Sequence, residues 1–227
     1  MTDLVALKAA NAKRWQNAKL TRGPEFTPVA KRLFAAKDRY KAVEARTGVP
    51  WFFIACAHQR ESSQDFSTSL AQGDPWNEVS KHVPAGRGPF PSWEAAAYDA
   101  LVNCAPYAAK NEDWSAGGTM TMMERYNGLG YANKGIPSPY VWSGTDQYVK
   151  GKYVADGVFN PNTVDKQLGC AGIILALMKL DPSITFEKPP LIAQPTKPAP
   201  VVMPPPPAAP SFWASVASIF TNFFRKA

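Results

Sequence analysis

The chain lacks any run of about eighteen or more apolar residues, so no membrane-spanning helix is expected. Its first residues, Met1-Thr2-Asp3-Leu4-Val5-Ala6-Leu7-Lys8, contain neither the apolar centre nor the cleavage pattern of a secretory signal, which predicts synthesis in a cytoplasm. Cysteine is scarce: Cys56, Cys104 and Cys170 are widely spaced and odd in number. There is no C-x-x-C pair and no Cys/His cluster, so no metal and no cofactor is expected. Each cysteine lies among apolar neighbours and reads as a small core residue. No internal repeat and no nucleic-acid-binding motif is present.

Charge is unevenly spread. Residues 1–50 hold 11 Lys/Arg against 4 Asp/Glu, whereas the rest of the chain holds 14 of each, so the formal net charge of +7 is entirely N-terminal. Such a face suits a polyanion: anionic lipid, a negatively charged cell wall or nucleic acid. The basic residues are not interleaved with stacking aromatics, so nucleic acid is not the expected partner. The competing reading is a solvated helix face.

Apolar periodicity predicts a mainly α chain with irregular loops. A helix is expected over 2–19, with Leu4, Leu7, Ala10 or Asn11, Trp15 and Ala18 on one stripe. Another is expected over 28–46, with Val29, Leu33, Tyr40 and Val43 inward. Residues 51–62 form a third, and Ser92 caps a fourth that runs to about Asn103. Further helices are expected over 113–126, with Met120, Met122, Met123 and Tyr126 inward, and over 164–180, where Gly169-Cys170-Ala171-Gly172 allows close backbone approach. Residues 67–91 are loop-rich, with room for a small hairpin but no clean alternation.

From Lys188 the composition changes. Residues 189–210 contain 10 of the 22 prolines and read as a semi-rigid polyproline II spacer. Beyond it, Phe212, Trp213, Val216, Ile219, Phe220, Phe223 and Phe224 share one face of an amphipathic helix. The expected organisation is a domain over 1–187, with basic N-terminal helices over 1–46, then a linker over 188–210 and a helix over 211–227.

The stretch with the most chemistry is Thr47-Gly48-Val49-Pro50-Trp51-Phe52-Phe53-Ile54-Ala55-Cys56-Ala57-His58-Gln59-Arg60-Glu61-Ser62. Pro50 sits at the start of a helix, where a missing N–H costs nothing. Trp51 to Ala57 is apolar on every face, so this helix belongs inside a core. Glu61 follows at its end. A carboxyl carried out of an apolar helix is partly desolvated, which raises its pKa and keeps it protonated, as a general acid requires. The bland alternative is a solvated Glu at a helix end. His58, one turn earlier, reads as a helix-packing histidine.

This segment resembles the opening of the lysozyme-like superfamily of lytic transglycosylases and goose-type lysozymes. The matching residues are Gly48-Val49-Pro50, Ile54-Ala55, Glu61-Ser62 and Phe66. Glu124-Arg125-Tyr126-Asn127-Gly128-Leu129-Gly130-Tyr131 looks like that family's A-Y-N-A-G motif. Ser138-Pro139-Tyr140-Val141-Trp142 and Gln147-Tyr148-Val149 resemble the aromatic segment closing its active site. The resemblance covers about residues 45–180. It implies a lysozyme-like helical domain, with Glu61 as catalytic acid and Ser62, Tyr126, Asn127, Gly128, Gln147 and Tyr148 on the sugar. The family's G-L-M-Q-x-x-P segment is absent; Leu70-Ala71-Gln72-Gly73-Asp74-Pro75-Trp76 and Val83 to Pro89 stand in its place.

A glycosidase needs an acid for the leaving oxygen and a second group that delivers the other oxygen. In lytic transglycosylases the muramic acid's own 6-hydroxyl attacks; an inverting hydrolase uses a second carboxylate on water. Asp74, in a Gly-Asp-Pro turn, is the expected second carboxylate, with Asp65 behind it and a turn-forming role as the competing reading. The implied protein is a monomeric, peptidoglycan-cleaving endolysin of a phage or prophage, acting in the periplasm. The alternatives are a non-catalytic wall-binding or scaffold protein on the same fold, and a chitin-type hydrolase. The tail's aromatic face, with Arg225 and Lys226 beside it, suits an anionic membrane surface; the alternatives are a partner and a groove on the domain itself. Deleting 211–227 is expected to reduce co-sedimentation with anionic vesicles at low salt, and Phe220→Asp to do the same. Equal sedimentation of the full-length and shortened chains would remove the membrane reading of the tail.

Overall fold

The computed structural model describes residues 2–71 and 73–186. The expected linker and tail helix lie outside these residues. Among the described residues the architecture is mainly helical: α1 Leu4–Asn17, α2 Gly23–Ala35, α3 Lys37–Thr47, α4 Trp51–Ser62, α5 Trp93–Val102, α6 Ala116–Asn127, α7 Gly130–Asn133, α8 Pro139–Trp142 and α9 Cys170–Leu180, with one hairpin, β1 Lys152–Ala155 and β2 Val158–Asn160. No described helix is long and apolar enough to cross a membrane.

Helix α4 is the axis. Every residue from Trp51 to His58 is buried, enclosed by α3, α6 and α9. Its start is fixed from α3, because Glu44 Oε1 accepts a hydrogen bond of 2.9 Å from the Trp51 amide. Gly48, with φ of +68°, makes the left-handed turn that stops α3 and lets α4 fold back on it. Phe53, Ile54, Trp93, Trp114, Trp142, Met120 and Met123 fill the space around α4. Each fully buried side chain of this kind contributes about 1.5–3 kcal/mol. Cys56, Cys104 and Cys170 are buried, unpaired thiols.

The structure departs from the sequence expectation at five places. The expected helix over 28–46 is two helices that break at Ala36, whose backbone leaves the helical region. The break lets α2 pack on α9 while α3 packs on α4 and α5. Pro28 does not open α2; the helix begins a turn earlier, with Pro24 in its first turn, and Pro28 lies inside. On α1 the buried residue is Asn11, whereas Leu4 is exposed, because Asn11 Nδ2 donates to Thr121 Oγ1 and to Glu124 Oε2 of α6, each at 3.2 Å. Residues 164–169 are not helical, and α9 begins only at Cys170. The hairpin lies over 152–160 rather than in 67–91, where the described residues hold only an isolated bridge between Thr68 and Pro75.

Two glycines in α9's first turn and cap are required by packing. A Cβ on Gly172 would lie 2.2 Å from Phe26 Cζ, so α2 reaches α9 only because that carbon is missing. A Cβ on Gly169 would lie 2.5 Å from the Val141 carbonyl oxygen.

His58 lies inside this core with no exposure, its Nδ1 2.9 Å from the Tyr40 hydroxyl and its ring 4.5 Å from Phe66 and 4.8 Å from Trp93. Burial pushes its pKa down to about 4, because the protonated ring would be a desolvated charge. The unfolded chain therefore takes up this proton first as pH falls, and stability is lost on going down from the ordinary value of 6.5 toward 4. Over that interval the wild type is expected to lose on the order of 3 kcal/mol more than His58→Gln, read as the difference between their urea midpoints at each pH. Parallel pH profiles for the two proteins would show that His58 is not the titrating group.

Candidate active site

The last turn of α4 leaves the core and divides its side chains. Helical rotation of about 100° per residue sends Arg60 and Glu61 in different directions. Ser63 and Gln64 then take positive φ, 54° and 70°, although neither is glycine. Such residues cost about 1–3 kcal/mol each, and they end the helix just beyond Glu61. Ser62 folds back along the helix, its hydroxyl 3.2 Å from the His58 carbonyl.

Glu61 is met by Tyr140, carried on the short helix α8 between the buried residues Pro139 and Val141. The Tyr140 hydroxyl donates to Glu61 Oε1 at 2.9 Å. Solvent reaches the Glu61 side chain, although protein crowds its carboxyl. Burial pushes its pKa up, partly offset by the Tyr140 hydrogen bond and the Arg60 charge. Tyr126, on the last turn of α6, lies close enough for the Glu61 charge to raise its own pKa further, after burial. Its hydroxyl donates to the Leu70 carbonyl at 3.1 Å, which ties the loop after α4 to α6.

Beside this pair opens a cleft of about 490 Å³. Its lining includes Asn127, Gly128, Tyr131, Tyr140, Lys152 and Tyr153. The rings of Tyr131 and Tyr153 meet edge to face at 5.1 Å, and the Tyr153 amide donates to the Tyr131 hydroxyl at 3.0 Å. Arg60, with its guanidinium 4.7 Å from the centre of the Tyr140 ring, forms part of the floor. Asp165 joins it there, 3.2 Å from Arg60 Nη2 and 2.7 Å from Lys152 Nζ. Burial alone would push Asp165 up, but the Lys152 hydrogen bond and the two positive charges hold it below the usual carboxylate range.

Asn127, Gly128 and Tyr140 thus share the cleft lining, whereas Glu61 and Tyr126 are not on it; Glu61 reaches it through its hydrogen bond to Tyr140, and Tyr126 lies near Glu61. Tyr148 is buried behind the cleft; its hydroxyl accepts from the Asp165 amide at 3.0 Å and donates to the Gly151 carbonyl at 3.1 Å. Gln147 bonds to its neighbour Asp146 and does not line the cleft. Asp74 organises its own loop. Oδ2 accepts from the Lys81 and His82 amides at 2.8 and 2.9 Å, and Oδ1 is 2.6 Å from His82 Nδ1. These bonds, chiefly those from His82, hold its pKa down at about 2. Asp65 caps a turn, accepting from the Ser67 amide and hydroxyl at 2.8 and 2.7 Å. Among the described residues no cluster of three or more His, Cys, Asp or Glu is placed to hold a metal ion.

Arg60, Lys152, Asp165, Tyr131 and Tyr153 were not candidates on sequence grounds. One signal for two of them was present: Asp156-Gly157 between short apolar runs is a two-residue hairpin turn, and it sets Lys152 and Tyr153 on a strand facing the cleft. No protein-family model, no curated protein and no solved structure matches the chain.

The Tyr140 hydrogen bond favours the charged form of Glu61. Tyr140→Phe removes it, and is expected to raise the Glu61 pKa further, followed by carbon-13 NMR titration of the labelled carboxyl. An unchanged or lower value would mean that the hydroxyl does not bear on the carboxyl's ionisation.

Proposed function

We propose that this protein is a lysozyme-like glycosidase that cleaves the β-1,4 bond between N-acetylmuramic acid and N-acetylglucosamine in peptidoglycan, with Glu61 as general acid. The observation that carries the reading is the Glu61–Tyr140 pair: a carboxyl whose pKa burial raises, held by a phenol at the edge of an open cleft with aromatic and amide walls. Protonated Glu61 gives its proton to the glycosidic oxygen as positive charge develops on the ring. Tyr140 donates to the carboxylate that remains, so its bond strengthens as the proton leaves, the differential stabilisation that speeds a chemical step. Asn127 supplies amide groups for the sugar's hydroxyl and acetamido groups, and Tyr131 and Tyr153 supply apolar ring surface.

Asp74 is the weaker candidate for a second catalytic carboxylate. Its oxygens already accept from three donors, and a group held at about pKa 2 is a poor base near neutrality. The attacking oxygen is then that of water or of the sugar's own 6-hydroxyl, acting beside Glu61. In this reading the protein serves as a phage-type endolysin. The basic first 50 residues and the sequence of 211–227 give it an affinity for anionic membrane surfaces.

Glu61→Gln is expected to lower peptidoglycan cleavage by at least about 10²-fold with the fold kept. Asp74→Asn is expected to cost less than about tenfold, since it loosens a loop rather than removing the acid. Mass spectrometry of the released muropeptides checks both, and reducing or 1,6-anhydro ends identify the attacking oxygen. A folded Glu61→Gln protein that clears purified peptidoglycan at the wild-type rate sinks the assignment. A loss in Asp74→Asn as large as that in Glu61→Gln makes Asp74 part of the chemistry.

A further inference from the structure

In the floor of the cleft one carboxylate serves two cations. Asp165 takes Lys152 on one oxygen and Arg60 on the other, so this inner group carries one more positive charge than negative. The Asp165 and Arg60 side chains are 1% and 6% exposed, whereas Lys152 is 34% exposed and lines the cleft. Arg60 is committed to structure: Nη1 donates to the Leu168 carbonyl at 3.3 Å, and Nε is buried without an acceptor. Lys152 is different. An ammonium has three donors, and the one protein acceptor that Lys152 has among the described residues is Asp165.

The remaining acid on this cleft, Asp156, is exposed at the hairpin turn, where water and salt screen it. The aromatic wall of Tyr131 and Tyr153 stands next to Lys152. A sugar laid on this wall displaces water from a partly buried ammonium. Neutral hydroxyls replace that water poorly, whereas a carboxylate gives a charge-assisted bond.

We propose that Lys152, backed by Arg60, forms a subsite for a carboxylate on the 3-O-lactyl branch of muramic acid, either the free lactyl carboxylate or that of a peptide attached there. The proposal rests on the glycosidase reading of the same cleft and adds the group that selects an acidic sugar over a neutral one. Removing Lys152 leaves Asp165 paired with Arg60, so the buried charge keeps a partner and the fold is retained.

The test is binding. Full-length Glu61→Gln protein is titrated with N-acetylglucosamine, N-acetylmuramic acid and muramyl dipeptide, following the amide signals of cleft residues by NMR. At low salt at least one acidic sugar is expected to bind about fivefold or more tightly than N-acetylglucosamine. That preference should weaken with added salt, vanish when Lys152→Met is added and survive Lys152→Arg. A preference for N-acetylmuramic acid identifies the lactyl carboxylate, and one for the dipeptide the peptide carboxylate. Equal binding of all three sugars, no binding of any, or a preference that persists in folded Lys152→Met overturns the subsite. If Lys152→Met fails to fold, Lys152→Gln replaces it, and a salt-independent preference in the Lys152 protein is itself contrary.

The two readings fail separately. An acidic preference that depends on Lys152, with no products from peptidoglycan and the wild-type chain, refutes the glycosidase and keeps the subsite. Muropeptide products without an acidic preference do the reverse.

Discussion

The burial of α4 is the constraint on which the cleft depends. A helix that is apolar on all sides has no face to give to solvent, so its neighbours must close round it. Here α3 fixes its start through Glu44, and α6 and α9 hold its flanks. A segment gripped in this way delivers its last turn to a fixed place. Arg60 and Glu61 are therefore positioned by the core itself, before any loop contributes. The loop-borne partners, Tyr140 on α8 and Asp165 before α9, come to meet a rigid element. On the proposed glycosidase reading, that order suits a site in which a small displacement would misalign the proton donor.

The two carboxyls at this end of α4 have been driven in opposite directions. Glu61 has one neutral donor in contact and the Arg60 charge nearby, which only partly offset burial, so its proton is held more tightly. Asp165 has two cations in contact and stays charged although it is buried more deeply. Burial acts in the same sense on both, and the number of positive partners decides the outcome. Arg60 links the pair, sitting between the Tyr140 ring and the Asp165 carboxylate.

Much of the helical framework was legible because its signals are local. The bounds of α4 follow from Pro50 and the unbroken apolar run, and Ser92 caps α5 through the Ala95 amide as its type and place suggest. What sequence periodicity missed depends on distant partners. The α1 stripe left Ala10 or Asn11 open, and only Thr121 and Glu124 on α6 explain why Asn11 is the buried one. Residues 164–169 read as helix by apolarity, but Asp165 is drawn to Arg60 and Lys152, and Gly169 must pass against the Val141 carbonyl. Glu61 was legible as a candidate because the helix that carries it announces itself. Asp165 was not, and Lys152 only as a member of the hairpin that Asp156-Gly157 marks, since the pairing of a hairpin residue with a loop residue and a helix end leaves no spacing to read.

The contact between α1 and α6 has a consequence for uniqueness rather than for strength. Asn11 offers its amide to Glu124 Oε2, while Glu124 Oε1 is buried without a partner. A half-satisfied polar contact adds little to stability. It is nevertheless intolerant of error. A shift of α1 by one residue turns its face by about 100°, which takes the Asn11 amide away from the buried Glu124 carboxyl. Leucine at position 11 would hold α1 in several alignments of similar energy, as greasy surfaces do. The asparagine instead acts as a key that fits one alignment, and the helix that ends in Tyr126 and Asn127 inherits a single backing.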